Sequence, residues 1–269
     1  MYGNRVKLKR TVQIIATIIQ NSYIPAFFAG GIYQGVLKRA CTPILNCWGC
    51  PLAWYSCPMG GLQHFIGLRL FPFYVAGLFG TVGMVVGRMT CGWICPFGFF
   101  QDLLYKIKSF KMKLPKVFSY FKYVVLVGVA GVIAYITAEP WFCKLCPDGA
   151  LIAGIPLVLA DTTGDLRALV GWHYYMKIAI LLGIILFSIS IKRFFCRTFC
   201  PVGAIYSIFN RFSVWRLKVD KDKCIACESC QMVCPMHVGI YRHQHDIDCI
   251  RCLDCVKICP TKAIKHEVR

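Results

Sequence analysis

Cys224, Cys227, Cys230 and Cys234 are spaced Cys-x2-Cys-x2-Cys-x3-Cys and followed by Pro235. The run recurs as Cys249, Cys252, Cys255, Cys259 and Pro260. Three thiolates at i, i+3 and i+6 on a tight loop wrap three corners of an iron–sulfur cube. The fourth corner is beyond that loop, so the Cys before proline serves the other cube. The spacing therefore predicts one 4Fe–4S centre from Cys224, Cys227, Cys230 and Cys259. A second takes Cys249, Cys252, Cys255 and Cys234. Paired zinc sites would use Cys-x2-Cys twice with a longer gap, and eight Cys in this double spacing do not follow that pattern.

The ten remaining cysteines are patterned too. Four segments read alike: Cys57-Pro-Met-Gly, Cys95-Pro-Phe-Gly, Cys146-Pro-Asp-Gly and Cys200-Pro-Val-Gly, with Cys50, Cys91, Cys143 and Cys196 upstream. Proline after Cys suits the first position of a helix, where its missing N–H costs nothing. Glycine two residues on lets backbone approach a bulky cofactor. The halves ending at Cys95 and Cys200 look like a duplicated unit. Buried thiols alone would explain scattered Cys, but not four Cys-Pro-x-Gly copies. Zinc is the competing metal at these sites.

The elements that carry these residues are apolar. Of 269 residues, 57% are hydrophobic, and the mean hydropathy of +0.58 exceeds that of an ordinary soluble domain. Thr11–Leu37 is uncharged and long enough for one spanning helix, with Pro25 as a potential kink. Further spans are predicted at about Phe65–Gly87, Phe121–Ala138 and Trp172–Ile191, the last with Lys177 snorkelling to the interface. Ala150–Ala160 is too short to span and reads as re-entrant, as does Cys41–Gly61.

Lys and Arg set the sides. One side gathers Arg5, Lys7, Lys9, Arg10, Arg88, Lys106, Lys108, Lys111, Lys113, Lys116, Lys122, Lys192, Arg193, Arg197, Arg211, Arg216 and Lys218. The other holds Lys38, Arg39, Arg69, Lys144, Arg167 and Lys177. This bias predicts an inner-membrane, multi-pass protein with both termini cytoplasmic. The first apolar run lacks a small-residue cleavage site and reads as an anchor. The net charge of +19 does not point to nucleic acid. No such motif appears, and four clusters at about −2 each would offset roughly 8 of those charges.

Topology then pairs the thiols. Cys91, Cys95, Cys196 and Cys200 follow the second and fourth predicted spans and emerge together on the cytoplasmic side, enough for a third cluster. Cys41, Cys47, Cys50, Cys57, Cys143 and Cys146 fall on the outer side. Cys50, Cys57, Cys143 and Cys146 match the repeated unit and are the expected ligands of a fourth cluster. Cys47 competes with Cys50, and Cys41 reads as a packed or free thiol. His64 and Glu139 flank spans and are the candidates for proton acceptors in quinol chemistry. Asp148, Asp161, Asp165 and His173 read as solvated loop residues. His237, His243 and His245 read as surface residues.

Cys91-Gly-Trp-Ile-Cys-Pro-Phe-Gly and Cys196-Arg-Thr-Phe-Cys-Pro-Val-Gly, followed by the double Cys run, resemble the NapH/NosR/CcoG-like membrane polyferredoxins over roughly residues 65–265. The resemblance implies a small helical membrane domain joined to a cytoplasmic two-cluster ferredoxin. It also implies electron transfer linked to quinol, often feeding an extracytoplasmic reductase. The outer Cys set is additional to the usual NapH pattern, and no large flavin domain of the NosR kind is present in this sequence.

The expected fold is thus a membrane α-helical domain over 1–215, with about four transmembrane helices plus re-entrant segments. A small α+β ferredoxin follows over 216–269. The expected function is electron transfer through four 4Fe–4S clusters, between the cytoplasmic ferredoxin and a partner at the outer face. The alternatives are a quinol dehydrogenase subunit, for which quinone would be a further cofactor, and a redox maturation factor for a metalloenzyme. The expected partners are membrane lipid and redox proteins on one or both faces, with the chain an electron-transfer subunit of a larger oxidoreductase complex.

Overall fold

The structure, a computed structural model, describes residues 2–28, 31–112, 114–161, 164–168 and 170–268. Lys113, counted above on the basic side, and 29–30 of the first apolar run lie outside them. The described chain is mostly helical. Its main helices are α1 (Tyr2–Gln20), α2 (Pro58–Gly67), α3 (Phe73–Val86), α4 (Pro96–Leu104), α5 (Lys116–Thr137), α6 (Pro147–Ala160), α7 (Trp172–Ser190) and α8 (Pro201–Phe209). Two strands close the chain, β1 (Trp215–Val219) and β2 (Ile264–Val268).

Two helices, α5 and α7, are long and apolar enough to cross a membrane; α3 and α6 are shorter and apolar. The first uncharged run does not form one helix. α1 draws its N-terminal half from the basic segment and ends at Gln20, where Gln13 and Gln20 are buried. Its apolar part from Thr11 to Gln20 rises only about 15 Å, half a bilayer core. The second run is also divided. α2 stops at Gly67, Arg69 takes a left-handed φ of 57°, and Pro72 precedes α3. The third run starts earlier than its apolar pattern suggests, at Lys116, and continues through a π-helical stretch at Val125–Ile133 to a left-handed Ala138. Ala150–Ala160 is helical, as the later part of α6.

α3 and α5 pack on α8, while α4 packs on α7 and α1, and α6 packs on α7. Phe79 meets Tyr206 edge-on at 5.3 Å, and Phe97 meets Phe195 at 5.1 Å, geometries that suit the ring quadrupoles. Cys57, Cys91, Cys95, Cys146 and Cys200 all belong to this one apolar core.

The C-terminal lobe is a two-stranded antiparallel sheet, with Trp215 opposite Val268 and Val219 opposite Ile264. Two short helices, Ser229–Val233 and Asp254–Ile258, pack together. Its repeat is visible in the backbone. Ala226 and Arg251, Glu228 and Leu253, and His237 and Lys262 occupy matching positions, and all six have left-handed φ between 48° and 63°. Such conformations cost L-residues roughly 1–2 kcal/mol each. They turn successive N–H groups into an anion-binding concavity, which a negatively charged cluster would fill.

Candidate metal centres

All four Cys-Pro pairs start helices. Cys57, Cys95, Cys146 and Cys200 are extended N-cap residues with ψ between 110° and 129°, and the following proline opens the helix. The Gly203 N–H donates to Cys200 Sγ at 3.4 Å. The helix start thus aims its free N–H groups at sulfur, where they favour negative charge.

The structure brings Cys91, Cys95, Cys196 and Cys200 together, all buried. Burial first, then the neighbouring thiols of Cys196 and Cys91, push the Cys95 and Cys200 thiols up. Gln101 Nε2 donates to Cys196 Sγ at 3.1 Å. Two arginines with fully buried side chains frame the set. Arg193 Nη1 donates to the Cys91 carbonyl at 2.9 Å and Arg88 Nη2 to the Cys196 carbonyl at 3.1 Å. Their charge is balanced by Asp102 and Asp248. Arg193 Nε and Nη2 reach Asp102 at 2.8 and 2.6 Å, and Arg88 Nη1 reaches Asp248 Oδ1 at 2.8 Å. Lys122 shares Asp248 Oδ1. Arg88, Arg193 and Lys122, all on the basic side of the sequence reading, are engaged in internal ion pairs.

The outer thiols lie close to one another. Burial, then the Cys47 thiol, push Cys143 up to about 11. Cys146 is raised by burial and by Asp148, with Cys47 and Cys143 adding to it. Cys57 is raised by burial and by Cys143. A Cβ on Gly149 would stand 3.2 Å from Cys47 Sγ, and one on Gly60 would stand 4.0 Å from Cys143 Sγ. Cys47 thus acts on Cys143 and Cys146, and it also acts on Cys50 and packs against the cluster of Cys50, Ala53 and Ala153. Cys50 is buried beside Ala53 and Ala153, and its Sγ faces Asn21 Oδ1 at 3.7 Å. Cys41 sits apart, near Gly61. Gln63 Nε2 donates to Cys143 Sγ at 3.3 Å, and the Lys38 ammonium lies buried on the Ala53 carbonyl at 2.8 Å. His64 and Glu139 are exposed, and Glu139 pairs with Lys144 at 2.7 Å.

In the C-terminal lobe, Cys224, Cys227, Cys230 and Cys259 line one open pocket. Cys227 is exposed there. Cys249, Cys252, Cys255 and Cys234 form the second set. Burial, then Cys252, Cys249 and Cys234 in turn, push Cys255 up. This set lies against the helical domain. Asn210 Nδ2 donates to the Cys249 carbonyl at 2.7 Å, Trp93 Nε1 to the Arg251 carbonyl at 3.1 Å, and Lys9 pairs with Asp254 at 3.0 Å. A Cβ on Gly92 would stand 2.7 Å from the Ile250 carbonyl, so only glycine lets the Cys91 turn approach so closely.

The donor chemistry fits iron–sulfur cubes. Each set gathers soft thiol donors, the ligand type that iron–sulfur cubes take.

Buried all-thiol sets in a helical domain, docked on a ferredoxin lobe, define an iron–sulfur electron-transfer protein. A family described as a 4Fe-4S binding domain matches residues 69–115, 121–157 and 175–220, and another of that description matches 217–238. The uncharacterized protein MJ0749 of Methanocaldococcus jannaschii is 31% identical over 98% of this chain and 90% of its own length. The ferredoxin-type protein NapH of Haemophilus influenzae is 24% identical over 100% of this chain and 91% of its own. The putative electron transport protein YccM of Escherichia coli is 22% identical over 69% of this chain and 52% of its own. No solved structure matches. The chain belongs to the family of NapH/NosR-like membrane polyferredoxins.

Proposed function

We propose that the chain conducts electrons between a cytoplasmic ferredoxin domain, residues 216–269, and the outer face of a membrane domain, residues 1–215. Four 4Fe–4S clusters would be held by the thiol sets described above, with Cys47 rather than Cys50 as the fourth outer ligand. When bound, the clusters supply one-electron chemistry. The order of the sets is the order of transfer: the solvent-open set with Cys227, the set around Cys252, the inner set, then the outer set.

The observation that carries this reading is the continuity of the sets. The Gly92 turn of the inner set lies on Ile250 of the ferredoxin, and inner and outer Cys share one core. A bilayer core is about 30 Å thick. Outer ligands that dip inward avoid one long tunnelling step, as the re-entrant reading requires.

The membrane placement is supported by surface. α5 turns Val124, Val127, Val132 and Ile136 outward, and α7 turns Leu182, Leu186 and Phe187 outward. Helices at the core of a soluble protein would bury these. With α1 and the segment after it as the first passage and α3, α5 and α7 as the others, α6 is re-entrant, and the Lys and Arg bias supports both termini in the cytoplasm of an inner-membrane protein. At the solvent-open set, exposed Ile225 and Met232 offer an apolar face to a redox protein. The chain acts as a subunit of a complex with such partners.

Anaerobically purified protein is expected to hold about sixteen iron atoms, four per cube. Cys47→Ser should lose about four of them and Cys50→Ser none. Iron and labile sulfide analysis checks both. About eight iron atoms with two zinc would refute the membrane clusters and leave the ferredoxin standing.

A further inference from the structure

Two buried glutamines repeat each other in detail. Gln63 lies six residues after Cys57 and Gln101 six residues after Cys95. Both side chains are enclosed, at 1% and 0% exposure. Gln63 Nε2 donates to the Met59 carbonyl and Cys143 Sγ, both at 3.3 Å, while Oε1 accepts from the Phe142 N–H at 2.9 Å. Gln101 Nε2 donates to the Phe97 carbonyl at 3.3 Å and Cys196 Sγ at 3.1 Å, while Oε1 accepts from the Phe195 N–H at 3.0 Å.

The network fixes the amide. Turned over, Oε1 would oppose the carbonyl of the preceding helical turn and Nε2 would oppose the Phe N–H. Each such clash in a buried site costs the desolvation of the groups left unpaired. The NH₂ group must therefore face sulfur. The sulfur it faces lies across the core, on the other half of the duplicated unit. One side chain thus ties the Cys-Pro helix of one half to the upstream Cys of the other.

We propose that Gln63 and Gln101 are paired positioning residues, each holding one ligand Cys by an N–H···S hydrogen bond that raises the reduction potential of its own cluster. The proposal rests on the reading that the inner and outer thiol sets hold clusters. A donated hydrogen bond draws charge from the thiolate and favours the reduced, more negative cluster. It also holds the Cys in its rotamer, as partners outside the ligand set do at other metal sites.

The test is Gln101→Met, which keeps length and apolar volume and removes both donors. Redox titration followed by EPR should show the inner centre harder to reduce by about tenfold, which is about 59 mV for a one-electron couple. The outer and ferredoxin centres should stay in place. Gln63→Met should move the outer centre alone. A second measurement uses wild-type protein labelled with ¹⁵N in the glutamine side chain. The reduced inner centre should show weak coupling to that nitrogen. If Gln101→Met fails to assemble its cluster, this coupling decides: its presence supports the proposal and its absence overturns it. A variant with the full iron complement and an unmoved inner potential overturns the positioning role alone. Wild-type protein with only ferredoxin iron overturns the proposal together with the reading beneath it.

Discussion

Cys95→Ser and Cys200→Ser are expected to remove the same EPR-active centre and to cut electron flow between the ferredoxin and the membrane domain. The two residues are more than a hundred positions apart, on α4 and α8, each at the N-cap of its own Cys-Pro helix. Both sulfurs nevertheless lie beside Cys91 and Cys196. Each variant should lose about four iron atoms, and a double variant should lose no more. The ferredoxin signals should survive, because Cys249, Cys252, Cys255 and Cys234 lie across the Gly92–Ile250 contact and share no ligand with the inner set. Parallel EPR of the three variants checks this. Loss of a different centre in each single variant would show that the halves bind separately.

Asp102→Asn is expected to destabilise the helical domain by about 3–5 kcal/mol, the usual cost of stranding a buried charge. The Arg193 side chain is fully buried and holds Asp102 through two hydrogen bonds, at 2.8 and 2.6 Å, and the Cys91 carbonyl through a third. Asparagine keeps the shape and removes the charge. The effect has a pH signature. Burial alone would raise the Asp102 carboxyl, but the Arg193 guanidinium overcomes it and holds the group below the usual carboxylate range. A carboxyl depressed in the folded state adds stability above its unfolded pKa, about 3.9, and that contribution is lost as pH falls through the folded value. The gap between wild type and Asp102→Asn should therefore be full at neutral pH and narrow in acid below about pH 4. The midpoint of thermal loss of cluster absorption, measured against pH, tests the sign. A gap that widens in acid would contradict the pairing.

The cluster chemistry was legible because iron–sulfur loops demand thiols at fixed spacing and nearby. Cys224 to Cys259 could be read without a structure, and so could the four Cys-Pro helix starts. The choice between Cys47 and Cys50 depended on how a long loop folds. Matching to the repeated unit favoured Cys50; the loop sets Cys47 near Cys143 and also near Cys50, whose Sγ faces Asn21 Oδ1. Gln63 and Gln101 were missed. Their common offset from Cys57 and Cys95 was a readable signal, but glutamine is ordinarily a surface residue and carries no ligand chemistry. The helix ends were misread where hydropathy alone was used. An uncharged run says nothing about where Gln20 and Asn21 stop α1, or how Arg69 and Pro72 divide α2 from α3. Charge counting likewise could not see that Asp102 and Asp248 would draw Arg193, Arg88 and Lys122 inward.

The most direct test of the transmembrane wire uses sealed vesicles in which the ferredoxin domain faces one compartment. A reductant that cannot cross the bilayer is supplied to that compartment only, and the oxidation state of the outer centre is followed by EPR. The proposed path predicts that the outer centre is reduced, that Cys57→Ser or Cys146→Ser abolishes its signal while sparing both ferredoxin signals, and that Cys95→Ser leaves the outer centre present but oxidised. An outer centre that stays oxidised in wild-type vesicles while the ferredoxin is fully reduced would contradict the account.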